Sequence, residues 1–144
     1  MKSLVDVNVV FAMLVEGHSH HTVAWNWWER QPVEGVLLCL PVRLGVLRLL
    51  TNARAMGSAP VSPDEALLAW DEMEADERTC WLTDPSGPAA ETCFRRNVAG
   101  RSPTPNLWTD ALLAGWAESA GCRLTSFDAG FRSFPGLDFE WLGS

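Results

Sequence analysis

The 144-residue sequence predicts an α/β fold, a central parallel sheet with helices on both faces (α/β/α). Short apolar runs at residues 2–6, 36–40, 79–82, 123–126 and 139–142 have the length and the turn-forming borders of buried strands. Segments with helical spacing separate most of them, as parallel crossovers require. With 47% hydrophobic residues and no linker or repeat, the chain is expected to form one domain over residues 1–144 with a sizeable core.

Each element has a local cause. After the first strand, Asn8 can cap a brief helix running through Glu16, with Gly17 ending it. A second helix is expected over residues 20–30, with Trp25 and Trp28 on one face and Pro32 as its stop. Beyond the second strand, Val42, Val46, Leu49 and Leu50 recur at helical spacing. Ser62-Pro63-Asp64-Glu65 is a strong helix start, with serine as cap, proline at the first helical position and glutamate at the third. Residues 89–98 make another helix. Thr104-Pro105, or Asn106 one turn later, opens the last one, which carries Trp108, Leu112 and Trp116 on a stripe and ends at Gly121. The eight tryptophans are expected mostly in the core, with Trp25 and Trp28 available for an apolar partner surface.

Composition removes several functions. The formal net charge is −7, so a nucleic-acid backbone would not be held by a uniformly basic surface. Ten arginines and a single lysine, Lys2, supply the positive charge. No Gly-Lys-Ser/Thr P-loop and no G-x-G-x-x-G dinucleotide loop occurs. Cys39, Cys80, Cys93 and Cys122 are widely spaced, without a Cys-x-x-Cys pair, and read as structural thiols. The apolar runs are too short for a membrane span, and Asp6 interrupts the first too early for a secretory signal, so a cytoplasmic chain is expected.

Three aspartates stand at element ends: Asp6 after the first strand, Asp110 in the last helix and Asp128 after the fourth strand. In a parallel sheet such positions open onto one crevice. Converging carboxylates suit Mg²⁺, which takes oxygen ligands and often shares them with substrate phosphates, so the residues point to metal-dependent phosphodiester chemistry. The plain readings are a turn or cap role for Asp6, a helix-dipole role for Asp110 and an Asx turn for Asp128. Asp84 reads as a loop or cap residue, and His18, His20 and His21 as a solvated first turn. Arg95, Arg96 and Arg101 form a solvated helix face or approach RNA phosphates at the mouth of the site.

The stretches Leu4-Val5-Asp6-Val7-Asn8, Leu44-Gly45-Val46-Leu47-Arg48-Leu49-Leu50-Thr51-Asn52, Thr109-Asp110-Ala111-Leu112 and Thr125-Ser126-Phe127-Asp128 resemble, in order, the PIN-domain ribonucleases, specifically the VapC-type toxins of toxin and antitoxin pairs. The resemblance covers nearly the whole chain. It implies a Mg²⁺ or Mn²⁺ site at Asp6, Asp110 and Asp128, supported by Asn8 and Thr109, with RNA as substrate, a VapB-like antitoxin and homodimerisation.

One position departs from the pattern. The family commonly has glutamate before the Leu-Gly of the middle motif, where this chain has Arg43. A guanidinium has no lone pair for a metal and forks onto carboxylates, so it can compete with the cation, point away, or grip a substrate phosphate. Pairing with the aspartates is the expectation carried forward. Two other readings stay open: a noncatalytic module binding RNA or a partner, with Arg43 in place of an acidic ligand, and an acidic α/β binding domain whose aspartates are caps.

Overall fold

A computed structural model describes residues 1–57, 59–83, 85 and 87–143. Asp84 lies outside the described residues. The elements run β1 (Ser3–Val5), α1 (Val7–Leu14), α2 (His21–Glu29), β2 (Val36–Leu38), α3 (Leu40–Leu50), α4 (Pro63–Glu74), β3 (Thr79–Trp81), α5 (Pro88–Val98), α6 (Leu107–Ala120), β4 (Arg123–Ser126), a 3₁₀ turn (Ala129–Ser133) and β5 (Phe139–Trp141).

The five strands form one all-parallel sheet in the order β3-β2-β1-β4-β5. The chain grows outward from β1 through β2 to β3, then returns to the other side of β1 for β4. The switch between those directions lies between β1 and β4, where an open α/β sheet forms its crevice at the strand carboxyl ends. Register sharpens that placement. Val5 lies opposite Thr125, so the next residues along, Asp6 and Ser126, leave the sheet side by side.

The core is built from Leu4, Val5, Val36, Leu38 and Leu124 of the sheet and from the helix faces turned towards it, with Trp27 and Trp70 its largest members. Burying such side chains contributes about 1.5–3 kcal/mol each, before the entropy of ordering the chain is counted. The predicted capping box at α4 is present: Ser62 Oγ accepts from Glu65 N and Glu65 Oε1 accepts from Ser62 N. Gly121 takes the left-handed conformation, φ 66°, that ends α6.

Several local expectations are corrected. Asp6 rather than Asn8 caps α1, through a 2.8 Å bond from Val7 N, and the helix stops at Leu14. On α2, Trp27 and Trp28 are buried whereas Trp25 is 43% exposed, so of the pair Trp25 and Trp28 only Trp25 remains at the surface. The Trp108, Leu112 and Trp116 stripe is not the buried side of α6, and Trp108 is 62% exposed. The buried side is made of Ala111, Leu113, Ala114, Gly115 and Ala117, because α5 lies too close for larger groups: a Cβ on Gly115 would stand 3.0 Å from Phe94 N. Trp27, Trp28 and Trp70 are buried, and the other tryptophans are half-buried or exposed. A second close approach concerns α3, where a Cβ on Gly45 would meet Val7 Cγ2 at 2.6 Å. Glycine there lets α3 lie against the first turn of α1.

Candidate active site

Asp6, Asp110 and Asp128 arrive from three separate elements and line one cavity of about 720 Å³, within the ~300–1,000 Å³ usual for ligand sites. Asn8 and Thr109 line it too, and its far wall comes from α3 through Leu40, Leu44 and Arg48. Asp6 is nearly buried at the end of β1, Asp110 is partly buried in the first turn of α6, and Asp128 is exposed at the cap of the 3₁₀ turn.

Ser126, which sequence reasoning missed, ties the strand ends together. Its Oγ donates to Asp6 Oδ2 at 2.7 Å and accepts from Asn8 Nδ2 at 3.1 Å and from Asp128 N at 3.0 Å. Asn8 Oδ1 also accepts from Phe127 N at 3.1 Å. Asn8 therefore ties the first turn of α1 to the end of β4 instead of capping a helix. The signal available in the sequence was a serine two places before Asp128, at the end of an otherwise apolar strand.

Electrostatics separates the three acids by environment. Burial raises the proton affinity of Asp6, the bonds from Ser126 and Val7 N lower it, and Asp128 raises it again. Asp110 is pushed up to about 7, first by burial and then by the charges of Asp6 and Asp128. Among the described residues no hydrogen-bond donor reaches its carboxylate, so no bond offsets those effects. Carboxylate oxygens are the donor type that Mg²⁺ or Mn²⁺ takes, and Asp110 is half-buried with no donor reaching it among the described residues. The side chains as they stand are not a finished cage: among the described residues no three Asp, Glu, His or Cys groups are gathered closely enough to hold a metal ion. The donor types nonetheless suit a divalent cation.

Arg43 does not take the expected place. It lies half-buried on α3 and is not among the residues lining the cavity. Among the described residues no carboxylate lies within 4.0 Å of it, and no cation contributes to the proton affinities of Asp6 or Asp110. A helix turn later, Arg48 lines the cavity instead.

The remaining candidates have structural partners. Arg95 pairs with Glu91 and Arg96 with Glu118, while Arg101 donates to Ser133 Oγ and Ser133 O, each at 2.7 Å. His20 is exposed as expected, stacked on Phe127, whereas His18 and His21 are half-buried: His18 meets Phe11 edge-on and His21 Nδ1 lies 2.8 Å from Ala12 O. All four cysteines are free; Cys39 and Cys122 are buried, Cys80 and Cys93 partly so.

The PIN domain family model matches residues 3–137, with the three aspartates inside the match. The chain belongs to the PIN-domain family. It is 32% identical to Ribonuclease VapC41 of Mycobacterium tuberculosis over 144 residues, covering 96% of this chain and 97% of that protein. Two solved structures share the fold. VapBC2 from Rickettsia felis, determined bound to a DNA fragment from its promoter, superposes with a TM-score of 0.64 at 10% identity, covering 97% of this chain and 98% of that one. VapC20 of Mycobacterium tuberculosis, a Sarcin-Ricin loop cleaving toxin, gives a TM-score of 0.62 at 18% identity over 94% and 98%. No helix among the described residues is long and apolar enough to cross a membrane.

Proposed function

We propose that this PIN-domain protein is an endoribonuclease toxin of a VapBC-type pair, acting in the cytoplasm on RNA with Mg²⁺ or Mn²⁺ held by Asp6, Asp110 and Asp128. The observation that carries the reading is that carboxylates from three elements line one cavity at the switch point of the sheet. The 32% identity to a named ribonuclease over 96% of the chain supports it. A divalent cation there would polarise a phosphodiester and lower the pKa of a water to serve as nucleophile.

The chain's own residues prepare that site. Ser126 and Val7 N hold both oxygens of Asp6 in fixed directions. Asn8 and Ser126 fasten the carboxyl end of β4 to α1, which fixes where Asp128 stands. Thr109 offers a hydroxyl beside Asp110 at the cavity wall. Asp110, pushed up to about 7 by burial and by Asp6 and Asp128, is half ionised at neutrality and charged above it.

A VapB-like antitoxin and a second copy of the chain are the proposed protein partners. Leu40 and Leu44 at the cavity, with Leu67 and Leu68 on α4 packed against α3, leave apolar surface exposed. Native expression should give a dimer or a complex with a small neighbouring-gene product, and a strictly monomeric, partnerless chain would count against the toxin role.

The direct test is cleavage of structured RNA by purified protein with Mg²⁺ or Mn²⁺. Asp6→Asn keeps the side chain's shape and removes its charge, so cleavage should disappear while the fold remains. Undiminished cutting by that variant, or by the native protein in excess chelator, would reject metal catalysis at these acids.

A further inference from the structure

Resting on the ribonuclease reading, we infer that Arg48 and Arg101 grip RNA phosphates on the two flanks of the acid cluster and so define the track of the substrate strand. The acids border two cavities. The larger reaches α3 and holds Arg48; a smaller one reaches the segment before α6 and the 3₁₀ turn and holds Arg101. Asn106, Asp110 and Asp128 line both, so the two spaces meet at the acids. A chain passing from one to the other must cross the carboxylates in mid-strand, as internal cleavage requires.

Each space has a single positive residue among its lining, in a protein of net charge −7. Four of the other eight arginines are occupied: Arg78, Arg95, Arg96 and Arg123 each pair with a carboxylate. Among the described residues, neither Arg48 nor Arg101 has a carboxylate within 4.0 Å, although both share a cavity with the aspartates. Their charges are therefore not cancelled locally. Arg101 is also held in place. Ser133 accepts two of its hydrogen bonds, and its guanidinium lies 4.4 Å from the centre of the Phe134 ring, leaving other donors of the fork free. A preset fork with spare donors is suited to phosphate oxygens. Exposed Arg48, opposite it across the acids, adds a mobile contact.

The arrangement reconciles an acidic protein with a polyanionic substrate. Two arginines approach the phosphates flanking the scissile one, and the acids sit where a divalent cation shields them from the phosphate between. Contacts of this kind position a strand without reading its bases.

The experiment compares Arg48→Gln and Arg101→Gln, which remove charge, the second leaving a donor for Ser133, with Arg95→Gln on α5 as control. Binding of a fluorescent pool of short random single-stranded RNA is measured by anisotropy with Ca²⁺ replacing Mg²⁺, over a range of salt. Each cavity variant should bind about tenfold more weakly and flatten the slope of log K against log salt by about 0.7, the loss of one single-strand phosphate contact. Mn²⁺ affinity measured by calorimetry should be unchanged, and Arg48→Lys should restore most of the salt slope. Native-like binding and slope in both variants, or losses equal to those of Arg95→Gln, would overturn the track. So would a parallel change in Mn²⁺ affinity, since the arginines would then act through the acids. If the variants cut RNA as the native protein does, the track fails alone; if the native protein neither binds nor cuts RNA, the ribonuclease reading fails with it.

Discussion

Two carboxylates on one helix meet opposite fates. Asp110, in the first turn of α6, is partly buried, crowded by Asp6 and Asp128 and reached by no donor among the described residues, and its pKa is pushed up to about 7. Glu118, two turns on, accepts from Arg96 Nη2 at 2.6 Å and from Cys93 Sγ at 2.8 Å, and its pKa is lowered, chiefly by the Arg96 bond. The helix dipole helps the first and opposes the second, yet local partners decide both outcomes. Glu118 fastens α5 to α6. Asp110 is held by the fold in a state that costs stability, and a group kept in that condition is a candidate for function.

The sharpest way to break the comparison is to neutralise each acid in turn. Asp110→Asn should lower RNA cleavage well beyond the roughly 10–100-fold expected of an outer supporting group. The same change should stabilise the metal-free protein. An aspartate of the unfolded chain titrates near ~3.9, whereas Asp110 in the fold titrates at about 7. The folded state therefore binds the extra proton, and native stability falls as pH rises through that interval. The advantage of Asp110→Asn should be absent below pH ~4, grow with pH and level off above ~7. Discounted for partial exposure, it is on the order of 1–2 kcal/mol, or roughly 3–8 °C in Tm. Melting curves of the two proteins from acid to alkaline pH would show the reverse trend if Asp110 were a paired structural acid.

Ser126→Ala comes next in size. It strips the 2.7 Å donor from Asp6 and the acceptor from Asn8 and Asp128 N, so unfolding should become easier by about 1–3 kcal/mol and cleavage should fall about 10–100-fold. Denaturant titration paired with single-turnover cleavage measures both. Loss of stability without loss of activity would make Ser126 a mere staple.

Glu118→Gln should be milder. Its salt bridge lies near the surface, so about 0–1 kcal/mol of stability is at stake and cleavage should stay native. A large activity loss there would erase the distinction between the two ends of α6.

The smallest effect is expected from Arg43→Glu. With Arg43 outside the cavity lining, Mn²⁺ affinity by calorimetry should change less than about threefold, in keeping with a screened charge at a distance. A large gain in affinity would mean that the side chain reaches the acids after all.

Much of the fold was written in local signals. The runs around Leu4, Leu37 and Leu124 marked strands, Ser62 and Glu65 marked the start of α4, and the glycine after Ala120 marked the end of α6, because caps and short-range periodicity act over about four residues. The placing of Asp6, Asp110 and Asp128 at element ends was legible for the same reason, and a parallel sheet then brings such ends to one crevice. What the sequence could not disclose depended on contacts across many residues. The register of β1 on β4 made Ser126 the neighbour of Asp6, released Asn8 from capping and gave that task to Asp6. The close approach of α5 chose the small-residue face of α6 for burial and left Trp108 outside. The packing of α3 on Val7, which requires Gly45, turned Arg48 rather than Arg43 towards the acids. Residue type and spacing determine which groups can meet, but the side of a helix that faces a cavity is set by how closely its neighbours pack, and that exists only in the folded chain.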